Sequence, residues 1–154
     1  MKLAEALALR AEAVRRAEQL RARVVAGARY QEGEEPAEDA AQLLAEADEV
    51  LDGLESLIRR INRTNATAVV DGGSTLTDAL ARRDVLRLRH AVVTTAADAA
   101  AGRSGATRQL RSELKMIAAL PVAELRSRAD VLAREIREVD VLIQRTNWEV
   151  DLLD

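Results

Sequence analysis

Apolar side chains recur along this chain at spacings of three, four and seven, the period of a helix with one buried face. Leu3, Leu7, Val14, Ala17, Leu20 and Val24 form one such stripe. Leu43, Leu44, Ala47, Leu51, Leu54, Ile58 and Ile61 form a second, and Leu76, Leu80, Leu86, Val93 and Ala97 a third. Leu125, Leu132, Ile136, Val139, Ile143 and Val150 form the fourth. Glycine and proline punctuate the gaps: Gly27, Gly33 and Pro36, then Gly72-Gly73, then Gly102 and Gly105, then Pro121. The pattern predicts four long helices, over residues 2–26, 37–65, 75–101 and 121–152.

Three of the predicted starts carry physical signals. Pro36 suits a first turn, where its missing N–H has no partner to lose. Glu38 and Asp39 follow it and favour the positive end of the helix dipole. Thr75-Leu76-Thr77-Asp78 reads as a capping box, and Pro121 ahead of Glu124 opens the last helix. Two short runs do not follow the helical pattern. Ala66-Thr67-Ala68-Val69-Val70 leads into the turn Asp71-Gly72-Gly73. Leu114 to Leu120 is largely apolar and precedes proline, which disfavours helix in the residue before it. Both are expected to be extended, and the second run is a candidate strand partner for the first.

The chain also resembles itself. Leu3-Ala4-Glu5-Ala6-Leu7-Ala8-Leu9-Arg10 aligns with Leu76-Thr77-Asp78-Ala79-Leu80-Ala81-Arg82-Arg83. Ile61-Asn62-Arg63-Thr64-Asn65 aligns with Ile143-Gln144-Arg145-Thr146-Asn147. The second match is the more telling, because threonine and asparagine are not typical of helix interiors. Two matches in the same order predict an all-α fold of two tandem antiparallel hairpins, in one domain of residues 1–154 with pseudo-repeat halves 1–71 and 72–154.

Charge divides the same way. Residues 1–30 hold seven bases and three acids, and residues 31–56 hold ten acids and no base. Residues 72–115 hold eight bases and four acids, and residues 116–154 five bases and eight acids. Antiparallel hairpins would set opposite charges side by side and so select helix neighbours, as flanking charges do in coiled coils. The overall sum is only −3.

Composition narrows the class. About half of the 154 residues are apolar and a third charged, as in a folded helical protein. There is no cysteine, which excludes disulfides and thiolate metal sites. No uncharged stretch is long enough for a membrane span. The early Glu5 argues against a signal peptide, so a cytoplasmic protein is expected.

The runs Gln31-Glu32-Gly33-Glu34-Glu35-Pro36, Ile61-Asn62-Arg63-Thr64-Asn65, Leu76-Thr77-Asp78-Ala79-Leu80-Ala81-Arg82-Arg83-Asp84-Val85-Leu86 and Asn147-Trp148 together resemble the bacterial family labelled septicolysin. That resemblance implies a small helical protein, and its label implies a pore-forming or membrane-active one. It carries no catalytic or binding residues over to this chain.

Candidate chemistry is sparse. Arg10 and Arg83 fall near the apolar stripes at equivalent positions. A buried guanidinium needs a partner, so they are expected either to pair with acids such as Asp52 and Glu138 or to grip an anionic ligand. Asn65 and Asn147 end the second and fourth predicted helices, where asparagine suits a C-cap. The alternative is a polar interface patch. Tyr30 and Trp148 are the only large aromatic rings and the natural interface anchors.

The acids Glu46, Asp48, Glu49, Asp52 and Glu55 lack the Glu-x-x-His motif of di-metal bundles. The one histidine, His90, has no nucleophile or orienting acid arranged around it in the sequence. No cofactor, metal site or enzymatic activity is therefore expected. The arginines of the first and third helices make nucleic-acid or anion binding the alternative function. The acidic balance and the missing aromatic rings weigh against it. The leading expectation is a homo-oligomeric structural or interaction protein. A helix of about 30 residues runs roughly 45 Å, long for so short a chain, and small side chains suit helix-on-helix assembly.

Overall fold

The computed structural model describes residues 1–103 and 114–154. The fold is all-α, with four helices among the described residues: α1, Leu3–Gly27; α2, Ala40–Thr67; α3, Leu76–Ala100; α4, Val122–Glu149. Each bound lies within three residues of the sequence reading. Gly105, one of the predicted breaks, lies outside the described residues. The chain forms two compact units, residues 1–68 with 145–154, and residues 69–144. These differ from the sequence halves 1–71 and 72–154, because the end of α4 and the residues after it cluster with α1 and α2.

In the first unit α1 and α2 pack against each other. Arg16 pairs with Glu46 and Arg23 with Glu38, so positions rising along α1 meet positions falling along α2, and the hairpin is antiparallel. The basic helix lies beside the acidic one, as the charge pattern requires. Leu3, Ala6, Leu20, Leu43 and Ile61 are buried. α2 starts at Ala40 because Asp39 caps it, its carboxylate accepting from the N–H groups of Ala41 (2.9 Å) and Gln42 (3.2 Å). Pro36 therefore sits in the preceding loop, outside the first turn.

α2 ends two residues beyond Asn65, at Thr67. Ala68 leaves the helix extended and donates its N–H to the Thr64 carbonyl at 2.8 Å. Asn65 and Asn147 are thus within helices and do not cap them. No non-glycine residue among those described has a positive φ.

The motif instead holds residues 153 and 154. Buried Thr64 donates its hydroxyl to the Arg60 carbonyl (2.8 Å) and accepts from the Leu153 N–H (3.0 Å). Arg60 bonds the Leu153 carbonyl and the Asp154 carboxylate, both at 2.9 Å, and Arg63 the Asp154 main-chain oxygen at 3.0 Å. Lys2 makes an antiparallel bridge to Asp151, with Leu152 N–H donating to the Met1 carbonyl at 2.9 Å.

The second unit contains the same device. Val69 bridges Thr75, and Val70 N–H donates to the Ser74 carbonyl at 2.8 Å. Gly72 and Gly73, at φ 86° and 84°, make the tight turn between them. The expected partner for this extended piece was Leu114 to Leu120, but the bridge is to Thr75. Two adjacent glycines let the chain fold back locally, and residues 114–120 form no strand.

Thr75 caps α3 in the predicted box. Its N–H reaches the Asp78 carboxylate at 2.8 Å, and its hydroxyl accepts from the Asp78 N–H at 3.2 Å. At α1 only half of this arrangement exists. Glu5 accepts from the Lys2 N–H at 2.7 Å, but an ammonium has no lone pair to return. α3 and α4 run antiparallel, with Asp98 near the end of α3 bonded to Arg126 near the start of α4 (2.6 Å) and Arg87 bonded to Asp140 (3.0 Å). Leu76, Ala79, Leu86, Val93 and Ala97 of α3, with Ala129, Leu132, Val139 and Ile143 of α4, are buried.

Candidate functional site

α3 is apolar on two sides. Besides the buried stripe, Val85, Leu88 and Val92 stand 51%, 68% and 69% exposed. At about 100° per residue they lie together, on the side of the helix away from Leu86, Val93 and Ala97. The stripe continues through exposed Thr95 and Ala99. It leads into a depression of about 430 Å³ lined by Ala96, Ala99, Ala100, Met116, Ile117 and Leu120, among others. Met116 and Ile117 are 83% and 87% exposed. This is a continuous apolar surface within the second unit, of the kind that marks an interaction site.

Charge borders the stripe on both flanks. Asp84 lies on one side, bonded to Arg83 of its own helix at 3.0 Å. Arg89 lies on the other, exposed and without an ion pair to a described residue. The arginines that face α4 are occupied, Arg87 by Asp140 and Arg82 by Glu135 at 3.8 Å.

The sequence candidates are distributed differently from expectation. Arg10 is exposed on α1, in the first unit. Arg83, in the second, is 23% exposed through its side chain and pairs with neighbouring Asp84. Glu138 is exposed on α4. The expected pair of buried, inward guanidiniums is therefore absent. Hydration of an arginine outweighs the apolar register that placed it near the stripe, and the nearest carboxylate serves Arg83.

Asp52 is exposed on α2 and lines a depression of about 340 Å³ with Glu55, Ser56, Arg59, Arg60, Arg63 and Asp154. Two of its three arginines hold residues 153 and 154. Tyr30, exposed in the loop after α1, borders a further depression with Arg23, Arg29 and Glu38. Trp148 is exposed near the end of α4 and Asn147 is buried beside it in sequence. Asn65 is half-buried. Among the described residues no group of three or more His, Asp or Glu side chains gathers as a metal site.

The depressed carboxylates have structural partners. The Thr75 N–H and then its hydroxyl hold Asp78 below its ordinary pKa. A hydrogen bond from Arg23 lowers Glu38, and one from Lys2, with its charge, lowers Asp151.

Val85, Leu88 and Val92 were not singled out from the sequence. Their signal is present as a second apolar row in α3, at spacings of three and four, offset from the stripe that fills the core.

No curated protein matches the chain. A crystal structure described as that of a functionally unknown conserved protein from Corynebacterium diphtheriae is similar over 99% of each chain, at 42% identity and a TM-score of 0.90. A family model for a family of unknown function matches residues 10–152. These matches overturn the resemblance to septicolysin, since neither points to that family. The membrane-active reading rested on its label and goes with it. No helix among the described residues is long and apolar enough to cross a membrane. Two of the motifs behind that resemblance serve the fold: Asp78 completes the α3 cap with Thr75, and Arg63 and Thr64 hold residues 153 and 154. The chain belongs to the family of unknown function DUF6847.

Proposed function

We propose that this protein is a non-enzymatic helical interaction protein that works as a homo-oligomer in the cytoplasm. The observation that carries the reading is the exposed apolar surface of the second unit, Val85, Leu88 and Val92 with Met116 and Ile117. Burying apolar area contributes about 25 cal/mol per Å², and side chains this exposed have that contribution still available. The described lining of the adjoining depression is aliphatic and main-chain in character, suited to receiving apolar side chains. The nucleic-acid alternative has less support, because Arg16, Arg23, Arg82, Arg87 and Arg126 are engaged with acids of the same chain. Sedimentation velocity over a range of micromolar concentrations tests the proposal. A mass that rises with concentration to a multiple of the monomer supports it. A monomer throughout contradicts it.

A further inference from the structure

We propose that the exposed face of α3 is one half of a parallel two-stranded coiled coil, the other half being α3 of a second copy of this chain. This rests on the self-association reading above and names the surface and register behind it. Val85, Leu88, Val92, Thr95 and Ala99 follow spacings of three, four, three and four, the a and d positions of a heptad. All five are exposed. Val85 and Val92 fall at a and Leu88 at d, the combination of β-branched and leucine residues that favours parallel dimers.

The flanking charges choose the occupant and its direction. Asp84 and Arg89 occupy the g and e positions on opposite sides of the seam. In a parallel pair about a two-fold axis, Asp84 lies beside the partner subunit's Arg89, and the symmetric contact repeats it. An antiparallel pair that keeps Val85, Leu88 and Val92 on apolar partners sets Arg89 beside the partner subunit's Arg89, which is repulsive. Arg89 has no ion pair to a described residue to give up, and among the described residues Asp84 shares its carboxylate only with Arg83. The seam is about two heptads, short for a coiled coil standing alone. The apolar surface of Met116 and Ile117 beyond its end extends the area available to the partner.

The test is a charge exchange. Asp84→Arg and Arg89→Asp, made in separate chains, each place like charges across the seam and are expected to weaken self-association roughly tenfold or more. Mixed together, the two variants have opposite charges at both contacts, and a one-to-one heterodimer is expected by native mass spectrometry. Far-UV circular dichroism checks that each variant stays helical, and Leu88→Asp provides an apolar disruption at the same seam. A wild type that is monomeric overturns this inference together with the self-association reading. A wild type that assembles and is indifferent to all three substitutions overturns this surface alone. Disruption by Leu88→Asp without recovery in the mixture overturns the parallel register.

Discussion

Setting α1 beside α3, with Leu3 aligned to Leu76, shows two helices built to one scheme inside and to two schemes outside. Both bury leucine and alanine at their first turns: Leu3 and Ala6 in the first unit, Leu76 and Ala79 in the second. Both are packed antiparallel against a more acidic helix through arginine–carboxylate pairs. Their outer faces diverge. Where α3 exposes Val85, Leu88 and Val92, α1 exposes Glu12, Arg15 and Gln19. A hairpin of this kind therefore packs without an apolar outer row. The row on α3 is additional to what the fold requires, and this is the physical reason to assign it to a partner.

Substitutions on the two helices test that contrast. The largest effect belongs to the buried faces, where the helices agree. Leu20→Ala and Leu86→Ala should each lower stability by about 2–5 kcal/mol, by lost burial and the cavity left behind. Urea unfolding followed by circular dichroism measures both, and a marked inequality would show that the units are not equally well packed. Next comes the outer row. Leu88→Asp should weaken self-association by about thirtyfold, while Arg15→Asp at the aligned position of α1 should leave it unchanged. Both should stay within about 0.5 kcal/mol of wild-type monomer stability, as surface changes do.

Smaller effects concern the joints. Thr64→Val keeps the shape but strands the Leu153 N–H, at a cost of about 1–3 kcal/mol. Faster hydrogen exchange in the last residues should accompany the loss. Thr75→Ala should cost about 1 kcal/mol by removing the α3 cap. Lys2→Ala should cost α1 less at its cap, because there the main-chain N–H makes the capping contact.

Acid titration should show the smallest effect. Glu38, Asp78 and Asp151 all have folded pKa values below their ordinary ones. Their contribution is therefore present above the ordinary carboxylate values, near ~4, and is lost as pH falls through the lowered folded values. Melting temperature should drop over that acid window, and Asp78→Asn should make the drop shallower.

Much of the architecture was legible in the chain. Periodicity placed the four helices, and the order of Thr75 and Asp78 gave the α3 cap. The repeated Ile-x-Arg-Thr-Asn motif marked a matching place in the two halves. Thr64 and Thr146 are indeed both buried, and their carbonyls accept from the N–H groups of Ala68 and Val150. The role of the motif was not legible. A threonine near a helix end is equally consistent with a cap, and only the fold brings Leu153 to Thr64. The strand partner of Val69 was misplaced because a hairpin over two glycines competes with a distant apolar run, and the short loop closes at lower entropic cost. Arg10 and Arg83 were expected inside because a one-dimensional period cannot tell the edge of a stripe from its centre. Val85, Leu88 and Val92 were passed over for another reason: one apolar stripe is enough to predict a helix, and the second row on the opposite side was left unread.

On the proposal above, the outer row of α3 is a contact between copies. Light scattering coupled to size-exclusion chromatography, on the wild type and on Leu88→Asp at the same micromolar concentration, tests it most directly. A contact between copies through this row gives a wild-type mass of about twice 16.8 kDa, a variant mass of 16.8 kDa, and equal helical content in both. The same mass for both proteins would contradict it.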